Sequence, residues 1–229
     1  MRVLVIGDIH CPVDHPGYLY FCSDLYDQWD CDHVVFIGDL ADNHAISFHA
    51  TNPQCPGPSD EYELTLECIQ EWNKVFPVAD VCIGNHDDLI LRQAETISLP
   101  AKYLRNFAEI WDTPDWDWDY EFMIDDAIYL HGTGRSGVHP AWNALPKKMK
   151  SVVMGHCHSR SGVKWKATRQ ERFFAMDTGC GIDVEAFQFA YGKHIDERPI
   201  LSAGVVIDGV PFVEPMPMGS KEKYHRSRF

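Results

Sequence analysis

The chain contains no Cys-x-x-Cys pair, no apolar run that approaches the length of a membrane span, and no surplus of basic residues. Each absence narrows the field. Eight cysteines, at positions 11, 22, 31, 55, 68, 82, 157 and 180, give no spacing signal of a paired framework, and several lie in apolar runs such as Val81-Cys82-Ile83. Buried free thiols in a reducing cytosol are therefore expected. The first apolar run, Val3 to Ile6, is four residues long and leads straight into Gly7-Asp8, which makes it a strand rather than a signal peptide. With no membrane-length run, a soluble cytoplasmic protein is the expectation. Against 34 Asp and Glu stand 20 Lys and Arg, a net charge of −14. A long nucleic acid gripped through its phosphates is disfavoured, because that grip is made by Lys and Arg. Internal repeats and low-complexity stretches are also missing.

What is present is an alternation of apolar runs and amphipathic segments. The 229 residues, 45% of them hydrophobic, suffice for one core, and a single domain over 1–218 is expected. Val3 to Ile6, His33 to Ile37, Val78 to Ile83, Ala127 to Leu130 and Ser151 to Met154 read as short buried strands. Gly17 to Trp29, Asp60 to Phe76, Asp87 to Leu99, Ala101 to Trp111 and Ala141 to Lys150 read as helices, with Pro100 dividing the third from the fourth. Beyond Gly155, strands are expected at Gly162 to Ala167, Arg172 to Met176, Leu201 to Ile207 and Val210 to Val213, with a tight turn at Asp208-Gly209. This is an α/β chain with a second sheet packed on the first. The acidic-aromatic segment Asp115 to Phe122 alternates strictly, so Trp116, Trp118, Tyr120, Phe122 and Ile124 share one face of a half-buried strand. Residues 219–229, with Lys221, Lys223, Arg226 and Arg228, read as a basic, solvated tail.

Five glycine-associated clusters punctuate this pattern: Gly7-Asp8-Ile9-His10, Gly38-Asp39-Leu40-Ala41-Asp42-Asn43, Gly84-Asn85-His86-Asp87, His131-Gly132 and Gly155-His156-Cys157-His158. Counting Asp8, Asp39, Asn85 and the histidines 10, 86, 131, 156 and 158, they offer two carboxylates, one amide and five imidazoles, most of them directly after a strand, where open sheets place their sites. A lone zinc takes about four ligands and calcium avoids imidazole, so the mixed set indicates two divalent ions. The glycines let the backbone turn sharply and bring the next side chain close to an ion.

In this order the clusters resemble the signature of the calcineurin-like metallophosphoesterase superfamily, over residues 7–158. The resemblance implies a two-sheet β-sandwich flanked by helices (αββα). It assigns Asp8, His10, Asp39 and His158 to one metal and Asp39, Asn85, His131 and His156 to the other, with Asp39 bridging. Two ions, manganese first and Fe, Ni, Co or Zn as alternatives, would then share a hydroxide that attacks the phosphorus of a monoester or small diester. His86 is implied to sit over the substrate as general acid to the leaving oxygen or as a charge partner in the transition state, oriented by Asp42, with Asn85 also facing substrate.

Other positions carry less. Arg135, in a Gly-rich loop, is a candidate for a phosphate oxygen, with a plain surface arginine as the equal alternative. Asp87 and Asp88 are read as charges at a helix N-terminus, and Cys157 as pointing away from the two histidines around it. His44 and His49 fall in a loop of nearly 20 residues after Asp42, long enough for a lid. Asp177-Thr178-Gly179-Cys180 resembles protein phosphatases and dinucleoside tetraphosphatases, but Asn43 stands where those relatives carry arginine. Two alternatives to a phosphatase or phosphodiesterase stay open: a nuclease acting on short nucleic acid, and a scaffold that has lost catalysis.

Overall fold

A computed structural model describes residues 1–186 and 196–217. The expected basic tail, 219–229, lies outside the described residues. One sheet is built on a parallel core: β1 (Arg2–Ile6), β2 (His33–Phe36), β3 (Ala79–Cys82) and β4 (Trp116–Asp119) run in that order. On the far side of β1 it is extended by antiparallel β10 (Ser202–Ile207) and β11 (Val210–Pro215). The second sheet has the order β5 (Glu121–Ile124), β6 (Ala127–Leu130), β7 (Ser151–Met154), β9 (Arg172–Thr178) and β8 (Ser161–Ala167). Its β6, β7 and β9 are parallel, and β5 and β8 are antiparallel edges.

Strand alternation explains the layering. In β1, Val3 and Val5 point between the sheets, where they meet Tyr129, Val153, Phe174 and Met176. Leu4 and Ile6 point outward, beneath the helices α1 (Tyr18–Gln28) and α2 (Pro58–Val75) with Phe21, Leu25, Ile69 and Trp72. Both faces of such a strand are buried, so its sequence is a continuous apolar run. On the other side, α5 (Pro140–Lys148) covers the second sheet through Ala141, Ala144 and Leu145. The result is the expected αββα sandwich.

Several expectations need correction. The acidic-aromatic segment is not one strand: it breaks at Tyr120 and passes from the first sheet to the second. Trp116 and Trp118 pack in the outer layer, Trp118 stacking on Phe107 at 5.2 Å, whereas Phe122 and Ile124 join the core between the sheets. Tyr120, at the crossing, is 55% exposed, and its hydroxyl donates to Asp88 at 2.9 Å. The helix expected from Ala101 to Trp111 is only a short 3-10 turn at Ala101–Tyr103 followed by α4 (Phe107–Trp111). Asn106 restarts it: its side chain accepts the Glu109 N–H while the Glu109 carboxylate accepts its own N–H. The helix expected from Asp87 to Leu99 shrinks to α3 (Leu89–Thr96).

The cysteine expectation fails for one pair. Cys11 and Cys68 form a disulfide, with Cα atoms 5.8 Å apart, that ties the loop after β1 to α2. The six other cysteines are free. A separation of 57 residues carries no spacing signal, because the pair is created by packing α2 against the sheet. No described helix is long and apolar enough to cross a membrane.

Candidate metal centre

All the candidate ligands stand just past the C-terminal ends of parallel strands. Asp8 and His10 follow β1, Asp39 follows β2, Asn85 and His86 follow β3, His131 follows β6, and His156 and His158 follow β7. Two sheets thus deliver their loops to one spot. Asp8, His10, Asp39 and His158 each bring a ligand atom within 4.8 Å of the others, and Asp39, His131 and His156 do the same.

In the first group, His10 Nε2 lies 3.2 Å from His158 Nε2, and His158 Nε2 lies 3.2 Å from Asp8 Oδ2. In the second, His131 Nε2 lies 3.1 Å from both Asn85 Oδ1 and His156 Nδ1. One atom belongs to both groups: Asp39 Oδ2 is 3.6 Å from His10 Nε2 and 3.2 Å from His131 Nε2. The other oxygen, Asp39 Oδ1, accepts the His86 N–H at 2.8 Å.

These separations fit a metal centre. Donors that share one ion at bond lengths of about 2.0–2.2 Å sit roughly 3 to 3.5 Å from one another. Two imidazole nitrogens facing each other at that range, as at His10/His158, gain nothing unless a proton or an ion lies between them. Asp8 Oδ1, fully buried, has no hydrogen-bond partner among the described residues.

The rings are fixed from behind. His131 Nδ1 faces the Ile37 carbonyl at 3.2 Å and His10 Nδ1 faces Asp42 Oδ1 at 2.7 Å, which leaves both Nε2 atoms turned inward. Asp42 therefore does something other than expected: its carboxylate orients His10. His86 Nδ1 instead meets the main-chain carbonyl of Asp42 at 2.6 Å, with the carboxylate at 3.4 Å. Asn43 also serves His86, donating from Nδ2 to its carbonyl at 2.9 Å.

Charge follows from this crowding. Burial alone would lower the His131 pKa, but Asp39 and Asp8 reverse this and raise it to about 9. Burial likewise opposes a charge on His86, and Asp39 and Asp42 raise its pKa above the ordinary histidine value. His156 is lowered by burial and by His131. An ion held by His131 would therefore have to displace its proton at neutral pH. Its apparent affinity is expected to rise with pH and to flatten above about pH 9, with proton release detectable by calorimetry in buffers of different ionisation enthalpy.

The glycines work by close approach as much as by turning. Gly38 has a positive φ of 107°, as a sharp turn requires, and a Cβ there would also strike the His131 ring at 2.6 Å. A Cβ on Gly84 would lie 2.2 Å from the nitrogen and Oδ1 of Asp39. Gly84→Ala is thus expected to displace the carboxylate common to both groups and to lower metal content in the folded protein, read by elemental analysis beside circular dichroism. His10, Asp39 and His156 themselves adopt positive φ of 51°, 48° and 69°. Backbone of that kind persists only where surrounding contacts hold it.

Two acids were underread in sequence. Asp87 is not a solvated helix charge but fully buried, its carboxylate accepting the N–H groups of Leu40 (3.3 Å), Ala41 (3.0 Å) and Gly84 (2.9 Å). It clamps the Asp39 loop to the Asn85 loop, and burial with Asp39 nearby pushes its pKa up to about 6. Asp87→Ala is expected to destabilise the fold by about 2–3 kcal/mol and to weaken metal binding by roughly 10–100-fold, measured by denaturant titration and metal competition. Glu61 of α2 accepts the N–H groups of His44 and Ala45 at 2.8 and 2.7 Å. It pins the start of the 43–60 segment, which forms a 3-10 turn at His44–Ile46.

A family profile described as calcineurin-like phosphoesterase matches residues 1–184. The chain belongs to the calcineurin-like phosphoesterase family. Among solved structures, similarity to this phosphoesterase fold is long in extent and low in identity. A metallophosphoesterase from Sphaerobacter thermophilus is 15% identical, with 95% of this chain and 89% of that one covered, at a TM-score of 0.47. A putative diadenosine tetraphosphatase is 17% identical, with 95% of each chain covered and a TM-score of 0.45. Vps29 from Chaetomium thermophilum is 12% identical, with 96% and 93% covered and a TM-score of 0.49. A search of curated proteins found no match.

The remaining candidates of this family member fall outside the two groups. The Cys157 thiol faces the Arg135 carbonyl at 3.6 Å rather than the histidines around it. The Arg135 guanidinium has no hydrogen-bond or ion-pair partner among the described residues. His49 is exposed, and His44 Nε2 accepts the Asn52 N–H at 3.1 Å within its own loop.

Proposed function

We propose that this calcineurin-like phosphoesterase is a metal-dependent hydrolase of a phosphomonoester or small phosphodiester. The observation that carries the reading is the position of Asp39 Oδ2 within 3.6 Å of a histidine nitrogen in each of two ligand groups. Asp8, His10, Asp39 and His158 would hold one divalent ion, and Asp39, Asn85, His131 and His156 the second, with manganese the first ion to test. When bound, such a pair supplies Lewis acidity toward phosphoryl oxygens and an acidified water as nucleophile.

The protein's own contribution is positional. Asp42 and Ile37 fix the His10 and His131 rings, Asp87 clamps two ligand loops, and neutral Asn85 and imidazole ligands leave the centre positive enough to receive phosphate. His86, held by the Asp42 carbonyl, stands beside the His10 ring with centroids 4.5 Å apart and its side chain 30% exposed. It is placed to give a proton to the leaving oxygen. Arg135, its guanidinium unengaged, remains a candidate for a phosphate oxygen.

The test is hydrolysis of p-nitrophenyl phosphate and its bis ester by protein stripped with chelator and reloaded with manganese. Turnover that appears with metal and vanishes without it is expected. No turnover with any divalent metal across a broad ester panel would sink the reading and leave a scaffold role in its place. A nuclease would instead show substrate affinity that collapses with rising salt, and the net charge of −14 speaks against it.

A further inference from the structure

A cavity of about 340 Å³ opens beside the candidate centre, and the two loops that wall it are continuations of ligand loops. Val138 and His139 come from the loop that begins at His131, and Ser159 to Ser161 directly follow His158. Arg160 joins the two, donating from Nε to the Gly137 carbonyl at 3.2 Å, and Ile200 donates its N–H to the His158 carbonyl at 2.8 Å. Whatever fills the cavity therefore lies against the residues next to His158.

Its lining has a definite chemistry. Arg160 is already engaged, paired with Glu197 at 2.8 Å. Trp142 and Lys164 are not, and Asp177 is engaged through one oxygen alone. The partly buried Trp142 offers a flat indole whose N–H has no partner among the described residues. Asp177 spends one oxygen on the Ala141 N–H at 3.0 Å, capping α5, while its second oxygen accepts no hydrogen bond among the described residues. Lys164 has no ion pair among them either. Ala175 and Ile200 supply apolar wall. The Asp177-Thr178-Gly179-Cys180 motif thus acquires a place in the fold without entering the ligand groups.

We propose that this cavity is a subsite for a nucleoside, so that the substrate of the adjacent centre is a nucleotide ester. A flat heterocycle suits the Trp142 face, ring or exocyclic N–H groups suit the Asp177 carboxylate, and Lys164 suits phosphate joined to the sugar. The volume falls within the range of small-ligand pockets. The word substrate rests on the phosphoesterase reading; the binding itself does not.

Binding is tested on metal-free protein by titrating adenosine and following backbone amide resonances of Gly162 and Val163. Saturable shifts are expected in the wild type, weakened by about tenfold or more in Trp142→Ala, as loss of one base–aromatic stack implies. Lys164→Trp, which puts a bulky ring on the cavity side of β8, opposite Ala175, while leaving Trp142 in place, is expected to weaken binding equally. Unchanged spectra far from the cavity report that each variant is folded. Absence of saturable shifts in the wild type, or equal affinity in both folded variants, overturns the proposal. Adenosine binding in a protein that hydrolyses no ester would overturn the phosphoesterase reading and leave the nucleoside site standing.

Discussion

Asp39→Ala is expected to lower kcat/KM for any phosphoester substrate by more than about 10³-fold, since metal-derived charge stabilisation is worth several kcal/mol. No other candidate ligand is shared between the two groups, so no other single change removes a donor from both. Oδ2 is the shared donor and Oδ1 holds the His86 N–H, so truncation also loosens the loop that carries Asn85 and His86. Metal content should fall by at least one ion per chain. Asp39→Asn separates the two effects: its side-chain oxygen can still accept the His86 N–H, but a neutral amide is a poor bridge between two cations. Hydrolysis by Asp39→Asn near the wild-type rate would show that bridging is not required. The metal-free variant offers a second readout, because the His131 pKa, held at about 9 chiefly against burial by Asp39 and Asp8, should drop when Asp39 is removed.

His86→Ala is the second large effect, with an expected loss in kcat of about 10²–10⁴-fold and metal content unchanged. His86 belongs to neither of the two groups built on Asp39, and its Nδ1 is committed to the Asp42 carbonyl, which leaves Nε2 as the atom that can reach a substrate. The signature of proton donation is its dependence on the leaving group. An alkyl ester, whose alkoxide needs a proton, should lose far more than p-nitrophenyl phosphate, whose phenolate leaves unaided. Equal losses on both would assign His86 to charge stabilisation of the phosphoryl oxygens instead. A variant that lost metal along with activity would contradict the positional argument altogether.

How much of this was legible in sequence depended on whether the partner of a residue was local. Strands such as Val3 to Ile6 were readable because burial on both faces leaves an unbroken apolar run, and the ligand clusters were readable because each follows such a run. The sheet crossing at Tyr120 was not, since the alternation from Asp115 to Phe122 runs unbroken through it and only the pairing partners of β4 and β5, which are β3 and β6, distinguish two strands from one. Asp87, Glu61 and the Cys11–Cys68 pair were opaque for the same reason. An acid beside a helix start reads as a solvated charge until the fold brings the N–H groups of Leu40 and Ala41, 46 or 47 residues away, onto its carboxylate. The exchange of roles at Asp42 was subtler. Sequence placed it near His86, but whether carboxylate or carbonyl would meet the ring was decided by the turn that gives the carboxylate to His10.

The central claim is that two ions share Asp39 between the loops of two sheets. Anomalous diffraction from crystals grown with manganese tests it most directly. The account predicts two peaks about 3.5–4 Å apart, one within bonding distance of Asp8, His10 and His158, the other of Asn85, His131 and His156, with Asp39 between them. A single peak, or none at full manganese loading, would contradict it.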